Sequence, residues 1–157
     1  MDFRYKIYVD GACQNNRVGE GIAAWAYVIF EGKKIITAGC DFELNSTNNR
    51  AEMFAVIDAL NALAEHTERD VYNAVFFCDN TLVVDGFNKW MHRWEKNEFK
   101  DRKNVDLWKI LLKQKADNHI LGKWVRGHNG DEWNEFCNYV AEDYSLFIEN
   151  SLQNNFV

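Results

Sequence analysis

The sequence predicts an α/β protein, a mixed sheet with helices packed on its faces. Three observations predict it: three β-rich runs in succession at the N-terminus, helical and strand-like segments alternating after them, and a long amphipathic segment at the C-terminus. Phe3, Tyr5, Ile7 and Val9 alternate with polar neighbours up to Asp10-Gly11, which predicts a first strand ending in a turn. After a Gly- and Asn-containing loop, residues 21–30 and 33–44 form two β-rich runs separated by Glu31-Gly32, a hairpin that continues an antiparallel meander. Ser46 or Thr47 can cap a helix whose Met53, Val56, Ile57, Leu60 and Leu63 share one face. Val75 to Cys78 is a short apolar strand, residues 81–91 and 105–115 are helices, and residues 119–126 form a last strand. Trp133, Phe136, Cys137, Val140, Ala141, Tyr144 and Phe147 recur at helical spacing and predict one long amphipathic helix with these residues on its buried face.

The 157 residues fit a single domain, 1–157, with an ordered core expected over about 3–149. With 47% hydrophobic and 27% charged residues the chain has the material for a core and lacks the bias of a disordered one. The longest apolar run, Ile22 to Phe30, is nine residues, too short to cross a bilayer as a helix, and the N-terminus has no signal-peptide pattern, so a cytoplasmic location is expected. Cys13, Cys40, Cys78 and Cys137 are spaced 27, 38 and 59 residues apart, which fits neither a zinc ribbon nor a disulfide scaffold, and they are read as reduced thiols. Net charge is −6, yet residues 89–103 hold six basic and three acidic residues, a local excess of +3 in an otherwise acidic chain.

Three carboxylates stand where a ligand crevice is expected in an α/β sheet: Asp10 after the first strand, Asp79 after the apolar Val-Phe-Phe-Cys strand, and Glu52 early in the first helix. Taken singly, each also reads as a turn former, a helix cap or a dipole partner. Brought together they repel unless a cation neutralises them, and oxygen ligands without paired Cys or His favour Mg²⁺ or Mn²⁺ and a phosphodiester substrate.

Six segments in order carry a resemblance over nearly the whole chain: Tyr-Val-Asp10-Gly-Ala-Cys-Gln-Asn-Asn16, Ser-Thr47-Asn48-Asn49-Arg50-Ala-Glu52-Met, Phe-Cys-Asp79-Asn, Asn104-Val-Asp-Leu-Trp108, Val-Arg-Gly-His128-Asn-Gly130 and Asn134-Glu-Phe-Cys137-Asn138. The sequence resembles type 1 ribonuclease H. The resemblance implies the ribonuclease H-like fold, a five-stranded mixed sheet of order 3-2-1-4-5 with helices on both faces. It also implies an endonuclease that cuts the RNA strand of RNA/DNA hybrids to 5′-phosphate and 3′-hydroxyl ends; with motifs running from Asp10 to Asn138, the length leaves no room for a separate hybrid-binding domain, and a monomer is expected. Asp10, Glu52 and Asp79 would bind two Mg²⁺ ions, with Mn²⁺ as a possible substitute, about 3.5–4 Å apart. His128 would assist proton movement or product release. Asn138 stands where the family places Asp; it still offers a carbonyl oxygen to a metal but removes one negative charge, and Glu142 lies one turn later.

On the substrate side, Asn16, Asn48 and Asn49 match positions that reach the minor groove of the hybrid, with Cys13 and Gln14 nearby, and Asn amides both donate to and accept from a 2′-hydroxyl. Trp90 and Trp94 align with the channel for the DNA strand, within the basic island. Thr47 and Asn104 match a phosphate pocket whose usual basic member is Asn45 here, so salt-sensitive affinity is expected. A non-catalytic hybrid-binding module of the same fold is the alternative, prompted by Asn138.

Overall fold

The computed structural model describes residues 2–15, 20–68, 71–127 and 131–154. Strands β1 (Tyr5–Gln14), β2 (Ile22–Glu31) and β3 (Lys34–Leu44) form the antiparallel meander, and β4 (Asn73–Cys78) and β5 (His119–Trp124) add to β1 in parallel, giving the order β3-β2-β1-β4-β5. Gly32 turns the hairpin between β2 and β3 with φ of 60°, a left-handed conformation that costs glycine little. Parallel pairing of β1 with β4 requires a crossover, and α1 (Asn48–His66) supplies it. Thr47, rather than Ser46, caps this helix, its hydroxyl accepting from Arg50 N. The apolar stripe Met53, Val56, Ile57, Leu60 and Leu63 is buried against Ile7, Val9, Trp25 and Ile29 in the main core.

On the opposite face lies α5 (Glu132–Asn154), begun by Asp131, whose carboxylate accepts from the backbone N–H groups of Trp133 and Asn134. It runs past the expected end of the ordered core to Asn154. Its buried seam consists of Asn134, Cys137, Ala141 and Ser145, whereas Phe136 and Phe147, expected on the buried face, are 46% and 63% exposed. Small side chains let the helix settle closely on Ala26 and Val28, which leaves the bulky ones on its flanks.

Two boundaries differ from expectation in ways that matter for the site. Asp10 does not end β1: it pairs with Ala26 and Gly11 with Trp25, and the strand runs on to Gln14. The helix expected to stop near Met91 continues as α2 (Thr81–Asp85), a wide π-type turn over Gly86–Trp90, and α3 (Met91–Lys96), so half of the basic island is helical. It stops where Glu98 and Phe99 adopt φ of 54° and 56° and the Phe99 N–H bonds back to Trp94 O. β5 also closes at Trp124, two residues early. Helix α4 (Val105–Lys115) packs on α1. All four cysteines are free thiols.

Candidate active site

The site forms at one end of the sheet because Gly11 lets α1 lie directly on β1. A Cβ at Gly11 would stand 2.7 Å from Ala51 Cβ and 2.9 Å from Glu52 N, so only a residue without a side chain permits the contact. Glu52 thereby reaches Asp10, and both are 3% exposed. Burial, followed by the charge of Asp10 and a hydrogen bond with it, raises the Glu52 carboxyl well above its usual range. Without a cation the pair is therefore tolerated only by holding a proton.

Asp79 follows β4 directly. Its backbone carbonyl accepts from Trp124 Nε1 at 3.0 Å, and the Val125 N–H bonds to Cys78 O, which ties the end of β5 to this corner. Gly127 passes so close that a Cβ there would stand 2.7 Å from Asp79 Oδ2. Asp10, Glu52 and Asp79 line one open cavity of about 530 Å³, together with Cys13, Gln14, Asn48, Asn80, Asn138 and Glu142. The structure thus brings the three acids and Asn138 to a single place, drawn from both layers: Glu52 on α1, Asn138 and Glu142 on α5.

Sequence reasoning missed Cys78 as a neighbour of the acids. Ligand atoms of Glu52, Cys78 and Asp79 lie within 4.8 Å of one another, and Cys78 Sγ is 3.6 Å from Glu52 Oε2. Burial and then the Glu52 charge push this thiol well above its usual range, so at neutral pH it is a hydrogen-bond donor to Glu52 rather than a thiolate ligand. Asn80 was missed too. It caps α2 through Val83 N and donates to Asn49 Oδ1 at 2.8 Å, linking the loop before α2 to the start of α1. Its sequence signal was its place after Asp79 in the Phe-Cys-Asp-Asn segment.

Other expected contact residues divide. Gln14 donates to Ser145 Oγ at 3.1 Å, and Cys13 Sγ bonds to Gln14 O and Ser46 O, so both are anchored at the cavity rim. Asn49, Trp94 and Asn104 line a second, smaller cavity of about 250 Å³. There Trp94 packs edge-on to Trp108 with ring centroids 5.2 Å apart, and Arg102 sits over its ring at 4.6 Å. Thr47 spends its hydroxyl on the α1 cap, and Trp90, 5.9 Å from Trp94, lines neither cavity. Asn16 and His128 lie outside the described residues.

Arg50 holds this region together. Its Nε donates to Glu43 Oε1 at 2.8 Å and Nη2 to Glu43 Oε2 at 3.2 Å, a bidentate pair with Asp106 is made at 3.0 Å on both nitrogens, and Nη1 also reaches Asn104 Oδ1 at 3.4 Å. Burial alone would raise Glu43, but the Arg50 hydrogen bonds outweigh it and hold the carboxyl below its usual range, and the same guanidinium lowers Asp106. Depressed carboxyls stabilise the fold above their unfolded pKa, near 4, and that contribution disappears as pH falls through the folded values. Arg50→Ala is expected to cost about 1–2 kcal/mol at pH 7, chiefly from the Glu43 side because solvent screens the more exposed Asp106. The gap in thermal midpoint between parent and variant should close toward pH 3; an equal gap at pH 7 and pH 3 would refute this.

The sequence profile of the RNase H family matches residues 3–145. Ribonuclease HI of Campylobacter jejuni is 39% identical over 143 residues, covering 91% of this chain and 92% of the relative. Ribonuclease H of Erythrobacter litoralis is 35% identical over 147 residues, covering 89% and 94%. Among solved structures, LC9-RNase H1, described as a type 1 RNase H with the type 2 active-site motif, superposes with a TM-score of 0.79 at 27% identity over 90% of this chain and 71% of that one. The PFV RNase H domain shares the fold, with a TM-score of 0.71 at 20% identity over 94% of this chain and 97% of that one. The order of the strands, the acids gathered in one cavity and these matches lead to one assignment: the chain belongs to the RNase H family.

Proposed function

We propose that this protein is a divalent-metal-dependent endonuclease that hydrolyses the RNA strand of RNA/DNA hybrids, leaving 5′-phosphate and 3′-hydroxyl ends. The observation that carries the reading is the pair of buried carboxylates, Asp10 and Glu52, opening with Asp79 into one concavity. A purely structural site would not keep two acids in contact at 3% exposure; a site for hard cations would. The donors fit Mg²⁺ or Mn²⁺: Asp10, Glu52 and Asp79 offer carboxylate oxygens, Asn138 an amide carbonyl, and the neighbouring thiol stays protonated. When bound, two such ions lower the pKa of an attacking water and offset charge on the leaving 3′ oxygen.

The chain's own residues place the substrate. Asn49, its carbonyl engaged by Asn80, has its NH₂ left to donate to a 2′-hydroxyl, and Asn48 lies at the cavity wall beside it. Trp94 and the cations around it offer the DNA strand a flat ring and phosphate contacts, with Asn104 held in place by Arg50. His128 is assigned proton movement or product release on resemblance alone.

Incubation with end-labelled RNA/DNA, RNA/RNA and DNA/DNA duplexes tests the reading. Cutting of the hybrid alone, dependent on Mg²⁺ or Mn²⁺, is expected; binding without cutting at every metal concentration would overturn it in favour of a hybrid-binding module. Asn138→Asp adds a negative charge at the rim and should lower the Mg²⁺ concentration for half-maximal rate several-fold. No gain in rate at any Mg²⁺ concentration would remove Asn138 from the ligand set.

A further inference from the structure

We propose that the half of the sheet left uncovered by α5 binds single-stranded nucleic acid, as a surface separate from the carboxylate cavity. Helix α5 lies over β1 and β2, while the helices that follow β4 pack on the other face of the sheet. The outer face of β4 and β5 is therefore open, with Leu121 37% exposed. Along the boundary between this open face and α5 runs an unbroken series of partly exposed aromatic rings. Phe77 stacks on Tyr8 with centroids 5.0 Å apart and planes at 22°, Tyr8 meets Phe30 at 5.9 Å, Phe30 meets Trp133 at 5.0 Å, and Trp133 meets Phe136 at 5.7 Å. Phe77 and Phe136 belong to neither core cluster, while Tyr8, Phe30 and Trp133 pack with one side against Ala26, Val28 and Cys137 beneath α5 and stay partly exposed on the other.

Positive charge stands beside the rings. Lys6, Lys33 and Lys123 line a cavity of about 530 Å³ floored by Val75 and Phe77. Pairing places Lys6 level with Phe30 and Lys123 level with Phe77, so the cations flank the Phe77–Tyr8–Phe30 end of the series, while Glu132 and Glu135 stand beside Trp133 and Phe136 at the other. Among the described residues none of the three lysines makes an ion pair; Arg4, at the same cavity, is neutralised by Glu31, and Asp2 is the one acid in the lining. Asp131, whose charge reaches Tyr8, is engaged in capping α5. In a chain of net charge −6, three unpaired lysines around one concavity are a local concentration of positive charge suited to a polyanion.

Rings joined in a line with cations at their side are the combination that holds an unpaired strand: bases stack on the aromatic faces and phosphates meet the ammonium groups. A duplex buries its base faces and gains nothing from the rings, which selects a single strand. Tyr8, the second ring of the series, is two residues from Asp10 on β1 and points to the same side of the sheet.

The test uses the full chain in EDTA with a fluorescent eight-nucleotide oligothymidine. The triple variant Lys6→Glu, Lys33→Glu, Lys123→Glu is expected to bind at least tenfold more weakly, with the log–log salt slope reduced by about 2. Lys33→Glu alone, in a turn beside the open space around Gly32, leaves the fold untouched and should give part of the loss. With 4-thiothymidine in the oligonucleotide, photocrosslinks should map to Tyr8, Phe77 or Trp133. Unchanged affinity, crosslinks confined to Trp90 and Trp94, or no binding by the parent would overturn the proposal, the last leaving the ring series as a face for a protein partner. Cleavage of a blunt hybrid is measured separately, so loss of the endonuclease reading and loss of this one are told apart.

Discussion

Replacing Glu52 with glutamine is expected to abolish cleavage of an RNA/DNA hybrid while making the metal-free protein more stable at neutral pH. The activity loss should reach about 10³-fold or more, beyond the roughly 10–100-fold that losing an outer partner of a metal site costs. The stability gain follows from the raised carboxyl. A group whose folded pKa lies above its unfolded value stabilises the fold below the unfolded value, near 4.5 for Glu, and that contribution is lost as pH rises through the folded one. In EDTA the parent should therefore lose thermal stability from about pH 4.5 upward, because the fold keeps a proton on Glu52 that the unfolded chain releases. The variant, neutral at this position, should show a flatter profile, with a midpoint higher by a few degrees at pH 7, about 2–4 °C for each kcal/mol gained in a chain of this size. Mg²⁺ should narrow the gap by stabilising the parent alone. Thermal unfolding across pH 4–8 with and without Mg²⁺ decides it; a variant less stable than the parent in EDTA at pH 7 would mean the two acids do not strain each other.

Gly11→Ala should be nearly as damaging to activity, by geometry instead of charge. The added methyl meets Ala51 Cβ at 2.7 Å and backbone atoms at 2.8 and 2.9 Å, and neither the strand centre nor a helix backbone yields as the far end of a side chain can. Relief requires α1 to lift from β1, at about 1–3 kcal/mol or more. Because Glu52 travels with that helix, a shift of about 1 Å should cost on the order of 10²-fold in kcat, together with weaker Mg²⁺ activation. Reduced stability with unchanged kcat would show that the α1–β1 contact serves the fold and not the site.

The same glycine shows where the sequence was readable and where it was not. Asp10-Gly11 has the composition of a turn, and locally that is the better reading; the strand continues because Gly11 answers to a helix that joins it from forty residues away. Periodicity located α1 and its buried stripe because those residues face one apolar layer continuously. On α5 it misassigned Phe136 and Phe147, since the closest packing went to Cys137, Ala141 and Ser145, and hydrophobicity does not report how near a helix must approach. The end of the helical run at Lys96 was hidden because left-handed residues there are Glu98 and Phe99, not glycine. The acids were legible as a motif. The hydrogen bond from Cys78 to Glu52 and the tie from Asn80 to Asn49 were not, because such contacts depend on side-chain reach across elements.

The wide turn at Gly86–Trp90 sets the phase of everything after it. A helix of uniform pitch advances about 100° per residue, so shedding the surplus residue would swing Trp94 about a quarter-turn around the axis, out of its seat between Arg102 and Trp108. Length in this stretch therefore matters in its own right: a codon gained or lost there redirects every side chain of the basic arm at once.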